Sequence, residues 1–270
     1  MARSVLVIGY TPLNSPLWAT MLIPRSIQPL TLHLGANRGI GLNLLKAFAQ
    51  RGWTVFGTVR AESRSDASFH DASTLPLNYS INNLEATGAT IFDLDYLDES
   101  SIAAAAKSYG EEKPLDVLIN CAGLPVRPAS WEETTAEHMI TKFRVMSVGP
   151  FLATKYFLPS LTKSLAGKVI NITSFWASLQ ENDFGEYISY RTAKAALNME
   201  TVTIAHELKA RNLNVTVLAL DPGDVPTKLS GWEGTTDMEA SIRGMVKIIE
   251  EAEVDLSGSY FRWNGEKIPF

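Results

Sequence analysis

Three glycines within seven residues, Gly35, Gly39 and Gly41, stand between a short apolar run and a longer periodic one. That placement constrains the fold more than any other feature of the chain. Residues 31–34 read as a buried strand, and 42–51, ended by Gly52, as a helix. Glycine between two such elements permits a tight turn. It also lets backbone N–H groups approach a pyrophosphate at the helix N-terminus. The spacing is G-x-x-x-G-x-G, weak as a bare pattern and stronger between a strand and a helix. The expected ligand is a dinucleotide.

The rest of the chain continues the alternation. Strands are expected at 54–59, 90–92 (ending at Asp93), 117–119 (ending at Asn120), 168–172, 214–220 and 259–263. Helices are expected at 98–109, 134–163, from about Tyr190 to Arg211, and at 237–251. Residues 61–83, rich in Ser, Asp and Asn, read as a loop with a helical piece. The expected fold is α/β, a single Rossmann-like, doubly wound parallel sheet, with ligands beyond the carboxyl ends of the strands. Residues 1–30 read as an N-terminal extension. They carry Arg3 and Arg25, no acids, and prolines at 12, 16, 24 and 29. An organelle presequence is one reading of that composition. The prolines break any amphipathic helix and favour an irregular extension ahead of the domain at 31–270.

Composition narrows the function. At 270 residues, with 46% hydrophobic, the chain can bury a large core. Its formal charge of −5 gives no electrostatic case for nucleic acid or an anionic membrane. No uninterrupted apolar run of about 18 residues exists to span a bilayer. Cys121 is the only cysteine, and the four histidines are scattered, so neither a disulfide nor a metal site is expected. A cytoplasmic location is the simplest expectation.

The chemistry points to Tyr190 and Lys194. A tyrosine four residues before a lysine on a helix puts both side chains on one face. An ammonium near a phenol lowers its pKa, which suits proton transfer to or from a carbonyl oxygen. Ser174 ends the preceding strand and can hydrogen-bond that oxygen. A second match to the spacing, Tyr109 and Lys113, falls at the amino ends of the strands, away from the expected ligand. Cofactor choice is read from charge: Val59 stands where a carboxylate would bind the ribose of NAD(H), and Arg38 and Arg60 lie close by. Two cations and no acid favour the 2′-phosphate of NADP(H).

Taken together, 35–41, Asp93, Asn120-Cys-Ala-Gly123, Ser174, Tyr190-x-x-x-Lys194 and Pro222-Gly223 resemble the short-chain dehydrogenase/reductase family. The resemblance covers about 31–270. It is nearest to the C-factor-type carbonyl reductases, through Tyr-Arg-Thr-Ala-Lys-Ala-Ala-Leu-Asn at 190–198 and the ending Ser-Gly-Ser-Tyr-Phe-Arg-Trp-Asn-Gly-Glu-Lys-Ile-Pro-Phe. It implies that Tyr190 is the general acid of carbonyl reduction, with Lys194 and Ser174 assisting. Gly35, Asn37, Arg38, Gly39, Ile40, Gly41, Arg60, Asp93, Leu94, Asn120, Ala122, Gly123, Tyr190, Lys194, Pro222, Gly223, Val225 and Thr227 would hold NADP(H). A homodimer or homotetramer is also implied.

The substrate would be a small carbonyl or alcohol, walled by 124–130, 175–187 and a loop near 228–240. Phe175, Trp176, Leu179 and Trp232 make that wall apolar. Two departures stand out. Leu34 replaces a threonine that braces the glycine loop, and Met146 replaces an asparagine that holds a water in the proton relay. These departures support an alternative, a cofactor-binding signalling protein with little activity.

Overall fold

The protein is described here from a computed structural model, over residues 28–61 and 84–270. The expectations for 1–27 and 62–83 lie outside the described residues. Seven strands form one parallel sheet in the order β3-β2-β1-β4-β5-β6-β7. They are β1 (Leu30–Leu34), β2 (Thr54–Val59), β3 (Thr90–Asp93), β4 (Val117–Asn120), β5 (Gly167–Ile172), β6 (Val215–Asp221) and β7 (Tyr260–Arg262). The helices that concern the site are α1 (Gly39–Gln50), α2 (Glu99–Tyr109), α3 (Ala136–Phe143), α4 (Gly149–Leu161), α5 (Ile188–Ala210) and α6 (Met238–Glu251). This is the doubly wound architecture expected from the sequence.

Strand side chains alternate between two cores because successive residues point to opposite faces. Leu118, Val169 and Val217 pack with Ile102 of α2, Phe157 of α4 and Leu208 of α5. Their neighbours Ile119, Ile170 and Leu218 pack with Phe48 of α1 and Met245 of α6. Covered on both faces, β4 and β6 are buried throughout, which is why they are mostly apolar. β1 pairs with both β2 and β4, so the chain direction of winding reverses there. A crevice opens at the carboxyl ends of these strands. Gly35 marks the crossing. Its φ is +81°, and a Cβ would stand 2.8 Å from the Ala122 backbone after β4.

The helix expected at 134–163 is interrupted. A π turn, Arg144–Val148, joins α3 to α4, and Gly149 N–H bonds Arg144 O five residues back. Pro150 has no N–H to offer Met146 O, so the ordinary ladder fails here and the wider turn takes over. Gly149 is also where Tyr96 crosses the helix, since a Cβ would lie 2.3 Å from that ring.

Candidate active site

A cavity of about 780 Å³ occupies the carboxyl edge of the sheet. Its floor on one side is the turn from β1 into α1, with Gly35, Asn37, Arg38, Gly39, Ile40 and Gly41. Arg38 is the helix N-cap but supplies no side-chain cap. The first-turn N–H groups of α1 therefore lack the partner that Asp98 gives α2 or Asp237 gives α6. Arg60 follows β2 on the same wall, and β2 itself ends in Val59 rather than in a carboxylate. Leu94, Ala122, Gly123, Pro222, Gly223, Val225 and Thr227 complete this side. Uncapped N–H groups, two arginines and small residues are the donors and the space that a dinucleotide phosphate requires.

Two expected cofactor residues do not line the cavity. Asp93 is exposed at the end of β3, and Leu94 to Leu97 form the wall there instead. The strand turns inward only after Asp93, where Leu94 N–H bonds Val59 O at 2.9 Å. Asn120 is buried beneath the cavity floor. Its amide accepts from Tyr96 Oη at 2.8 Å and donates to Asn171 Oδ1 at 2.8 Å. Asn120 thus braces three neighbouring segments of the carboxyl edge. Tyr96, invisible as a functional residue in the sequence, completes that brace through the space left by Gly149.

Ser174, Tyr190 and Lys194 meet on the opposite wall of the same cavity. Ser174 caps a short 3-10 turn, Phe175–Ala177, its Oγ accepting from Trp176 N–H at 3.3 Å. α5 starts after two residues in the left-handed region, Glu186 (φ 59°) and Tyr187 (φ 51°). Such strain in non-glycine residues persists only when surroundings hold it, and here Tyr187 N–H bonds Ala129 O at 2.7 Å. The first turns of α5 then direct Tyr190 and Lys194 to the cavity, as the four-residue spacing requires. The other matching pair is spent on structure: Lys113 Nζ lies over the rings of Phe56 and Tyr109, and Tyr109 Oη donates to Pro114 O.

The expected lowering of the Tyr190 phenol is not found. Burial pushes its pKa up, partly offset by the Ser174 hydroxyl, while Asp221 and Cys121 add to the rise. Lys194 does not reverse this because its Nζ donates to Ile172 O at 2.7 Å and stands 6.0 Å from the Tyr190 ring centre. Burial also pushes the Lys194 ammonium down, to about 8. The phenol is therefore neutral, the form that can donate a proton.

A further acid stands beside this group. Asp221, the last residue of β6, is buried, and burial raises its carboxyl to about 6 against the pull of two backbone N–H groups. The Asp221-Pro222-Gly223 turn was visible in the sequence; nothing there marked the carboxylate as a neighbour of Tyr190. Met146 is fully buried in the π turn, and Ser147 hydrogen-bonds Glu200 of α5.

The expected substrate wall is divided. Phe175, Trp176, Tyr187 and Leu229 line the main cavity. Leu179 lines a separate one, and Trp232, half exposed, lines neither. Lys228 to Gly231 and Glu233 do border the main cavity, as expected of the 228–240 loop.

The family model for short chain dehydrogenases matches residues 30–237. The chain belongs to the short-chain dehydrogenase family. This dehydrogenase is 34% identical to the C-signal protein of Myxococcus xanthus over 157 residues, covering 58% of this chain and 93% of that protein. It is 30% identical to human retinol dehydrogenase 11 over 221 residues, covering 78% of this chain and 64% of that protein. Among solved structures, the NADPH-bound carbonyl reductase from chicken fatty liver matches with a TM-score of 0.77 and 28% identity. That match covers 90% of this chain and all of the other. The carbonyl reductase Sniffer of D. melanogaster, at 22% identity and a TM-score of 0.75, shares the fold. Among the described residues of the dehydrogenase, no helix is long and apolar enough to cross a membrane.

Proposed function

We propose that this dehydrogenase reduces a ketone or aldehyde to the alcohol with NADPH. The observation that carries the reading is one cavity with two chemically distinct walls. Ser174, Tyr190 and Lys194 stand on one wall, and Arg38, Arg60 and the uncapped start of α1 stand on the other. Bound NADPH supplies the hydride that reaches the carbonyl carbon. Tyr190 donates its phenolic proton to the carbonyl oxygen, and solvent returns a proton to the phenolate afterwards. Ser174 donates a hydrogen bond to the same oxygen and orients it. Lys194, cationic below about pH 8, stabilises the phenolate left behind. Arg38 and Arg60 hold the 2′-phosphate, and the α1 N–H groups hold the pyrophosphate. Similarity to an NADPH-bound carbonyl reductase supports the cofactor assignment.

The test is a fluorescence titration with NADPH and NADH, followed by turnover on a carbonyl panel. NADPH should bind at least about tenfold more tightly, and Arg60→Asp should remove most of that preference. Equal affinity for the two cofactors defeats the NADP assignment, and failure to bind either defeats the enzyme reading.

One observation favours a second reading, a cofactor-binding protein with little turnover. Met146 places a buried thioether where the family resemblance implies a relay asparagine, and a thioether handles protons poorly. NADPH binding without turnover of any carbonyl would select it.

A further inference from the structure

Next to the main cavity lies a second one of about 520 Å³, open at the surface. Its walls include Trp131, Leu179, Ile188 and the first turns of α5. The catalytic groups all lie in the first cavity. One residue is common to the two linings: Trp176.

Trp176 is held as a partition. Its indole stacks on Tyr187 with ring centres 4.7 Å apart and planes 14° from parallel. It meets Tyr190 edge-on at 6.1 Å and 89°, so the wall is built directly against the general acid. On the far side Phe184 contacts it edge-on at 5.9 Å, and the Arg191 guanidinium stands 5.4 Å from its centre. Backbone contacts fix the base of the wall: Ser174 Oγ accepts from Trp176 N–H, and Arg191 Nη1 donates to Trp176 O at 3.1 Å. Among the described residues, the indole itself is positioned by these ring contacts and the Arg191 guanidinium. Beyond it, Leu179 is 78% exposed and Ile188 41% exposed, an apolar lining with no residue packed over it among the described ones.

We propose that Trp176 sets the length limit of the substrate, and that the second cavity is the continuation of the substrate site behind it. This rests on the carbonyl-reductase reading above. With the indole in place, the site takes compact apolar carbonyls, a single ring or a short chain, whose far end abuts the Trp176–Tyr187 stack. Removing the indole joins the two spaces and admits the tail of a long-chain aldehyde or ketone along Leu179 and Ile188. Apolar walls favour an alkyl tail there, because each buried methylene contributes to binding.

The experiment compares straight-chain aldehydes of increasing length in the wild type, Trp176→Ala and Trp176→Leu. A parallel calorimetric titration uses butanol and decanol in the presence of NADPH, with which an alcohol has no hydride to exchange. The ratio of kcat/KM for decanal over butanal should rise by at least about tenfold in Trp176→Ala, and less in Trp176→Leu. Decanol affinity should rise in step. Trp176→Leu keeps an apolar side chain in the wall, so it carries the comparison if the alanine variant fails to fold. Adding Leu179→Asp to the better-behaved variant should cancel the gain for the long probes only, because that side chain belongs to the second cavity alone.

Unchanged length profiles in active Trp176 variants overturn the partition while leaving the reductase reading intact. A gain that survives Leu179→Asp overturns it too, placing the extra room in the first cavity. Absence of NADPH binding and of turnover in the wild type instead brings down the reductase reading.

Discussion

The two walls of the main cavity are made of different material. The wall at β1 and α1 is largely backbone: a glycine turn, an uncapped helix start and the small residues Ala122 and Gly123. The wall at β5 and α5 is largely side chain, with Trp176 and Tyr187 stacked beside Tyr190 and Lys194. A surface of N–H groups can bind the same phosphate in many proteins, whereas a surface of packed rings has the shape of one class of partner. The first wall, with Ser174, Tyr190 and Lys194 on the second, therefore reports the family, and the rings packed beside them carry what is particular to this protein.

The largest effect expected is a clean separation of the two walls. Tyr190→Phe should lower turnover by about 10²–10⁴, the usual worth of a positioned general acid, while NADPH affinity stays near wild type. Stopped-flow turnover and fluorescence titration measure the two quantities independently. If turnover survives, Tyr190 is not the acid and the second wall has been misread.

Gly35→Ala attacks the other wall. Its Cβ would meet the Ala122 backbone at 2.8 Å, at a φ of +81° that alanine rarely adopts. The strain should cost about 1–3 kcal/mol and weaken NADPH binding by roughly tenfold or more. An alanine variant with wild-type melting temperature and affinity would mean that the crossing of the β1 and β4 loops is looser than the packing indicates.

How much of each wall could be read from sequence follows from the same difference. Glycine turns and strand alternation are local, so Gly35 to Gly41 and the alternation of strands and helices emerge from spacing alone. Tyr190 and Lys194 were legible because one helical turn joins them. Tyr96 and Asp221 were not, because each gains its role from a chain segment far away: Tyr96 reaches Asn120 through the gap at Gly149, and Asp221 reaches Tyr190 across two strand ends. The bracing by Asn120 has the same origin, since its amide meets Tyr96 and Asn171 from distant parts of the chain. The break at Arg144–Val148 depends on one proline at the right offset inside a periodic pattern that otherwise reads as a single helix.

Beneath the second wall, Glu200 offers a smaller, pH-dependent comparison. Burial raises its carboxyl from 4.5 to about 7, although the Ser147 hydroxyl opposes the rise. The folded protein keeps a proton there that the unfolded chain releases near its ordinary value. Stability from the protonated carboxyl is thus full below about pH 4.5 and is lost as pH climbs through 7. Asp221, raised to about 6, adds a loss of the same sign at lower pH. Glu200→Gln should flatten the Glu200 part of the profile and stabilise the protein at pH 8 by about 1–3 kcal/mol. Denaturant melts at pH 5 and pH 8 check this, and equal pH dependence in both proteins would mean that Glu200 is solvated and titrates normally.

The smallest effect tests Met146, which stands where the family resemblance implies an asparagine. Met146 is buried in the π turn, and its neighbour Ser147 is engaged with Glu200, so neither side chain serves Lys194 as a proton carrier. If proton return to Tyr190 limits turnover, Met146→Asn should speed it, by less than about tenfold, by giving a relay water an amide partner. The gain must exceed the cost of burying an amide in an apolar turn, which is why only a modest rise is expected. Met146→Leu separates the two contributions, since it keeps volume and apolarity and should change turnover little. A solvent isotope effect that shrinks in the asparagine variant alone would place the slow step at proton return. An unchanged rate and isotope effect would mean that the relay runs by another path and that Met146 is simply part of the core packing of the π turn.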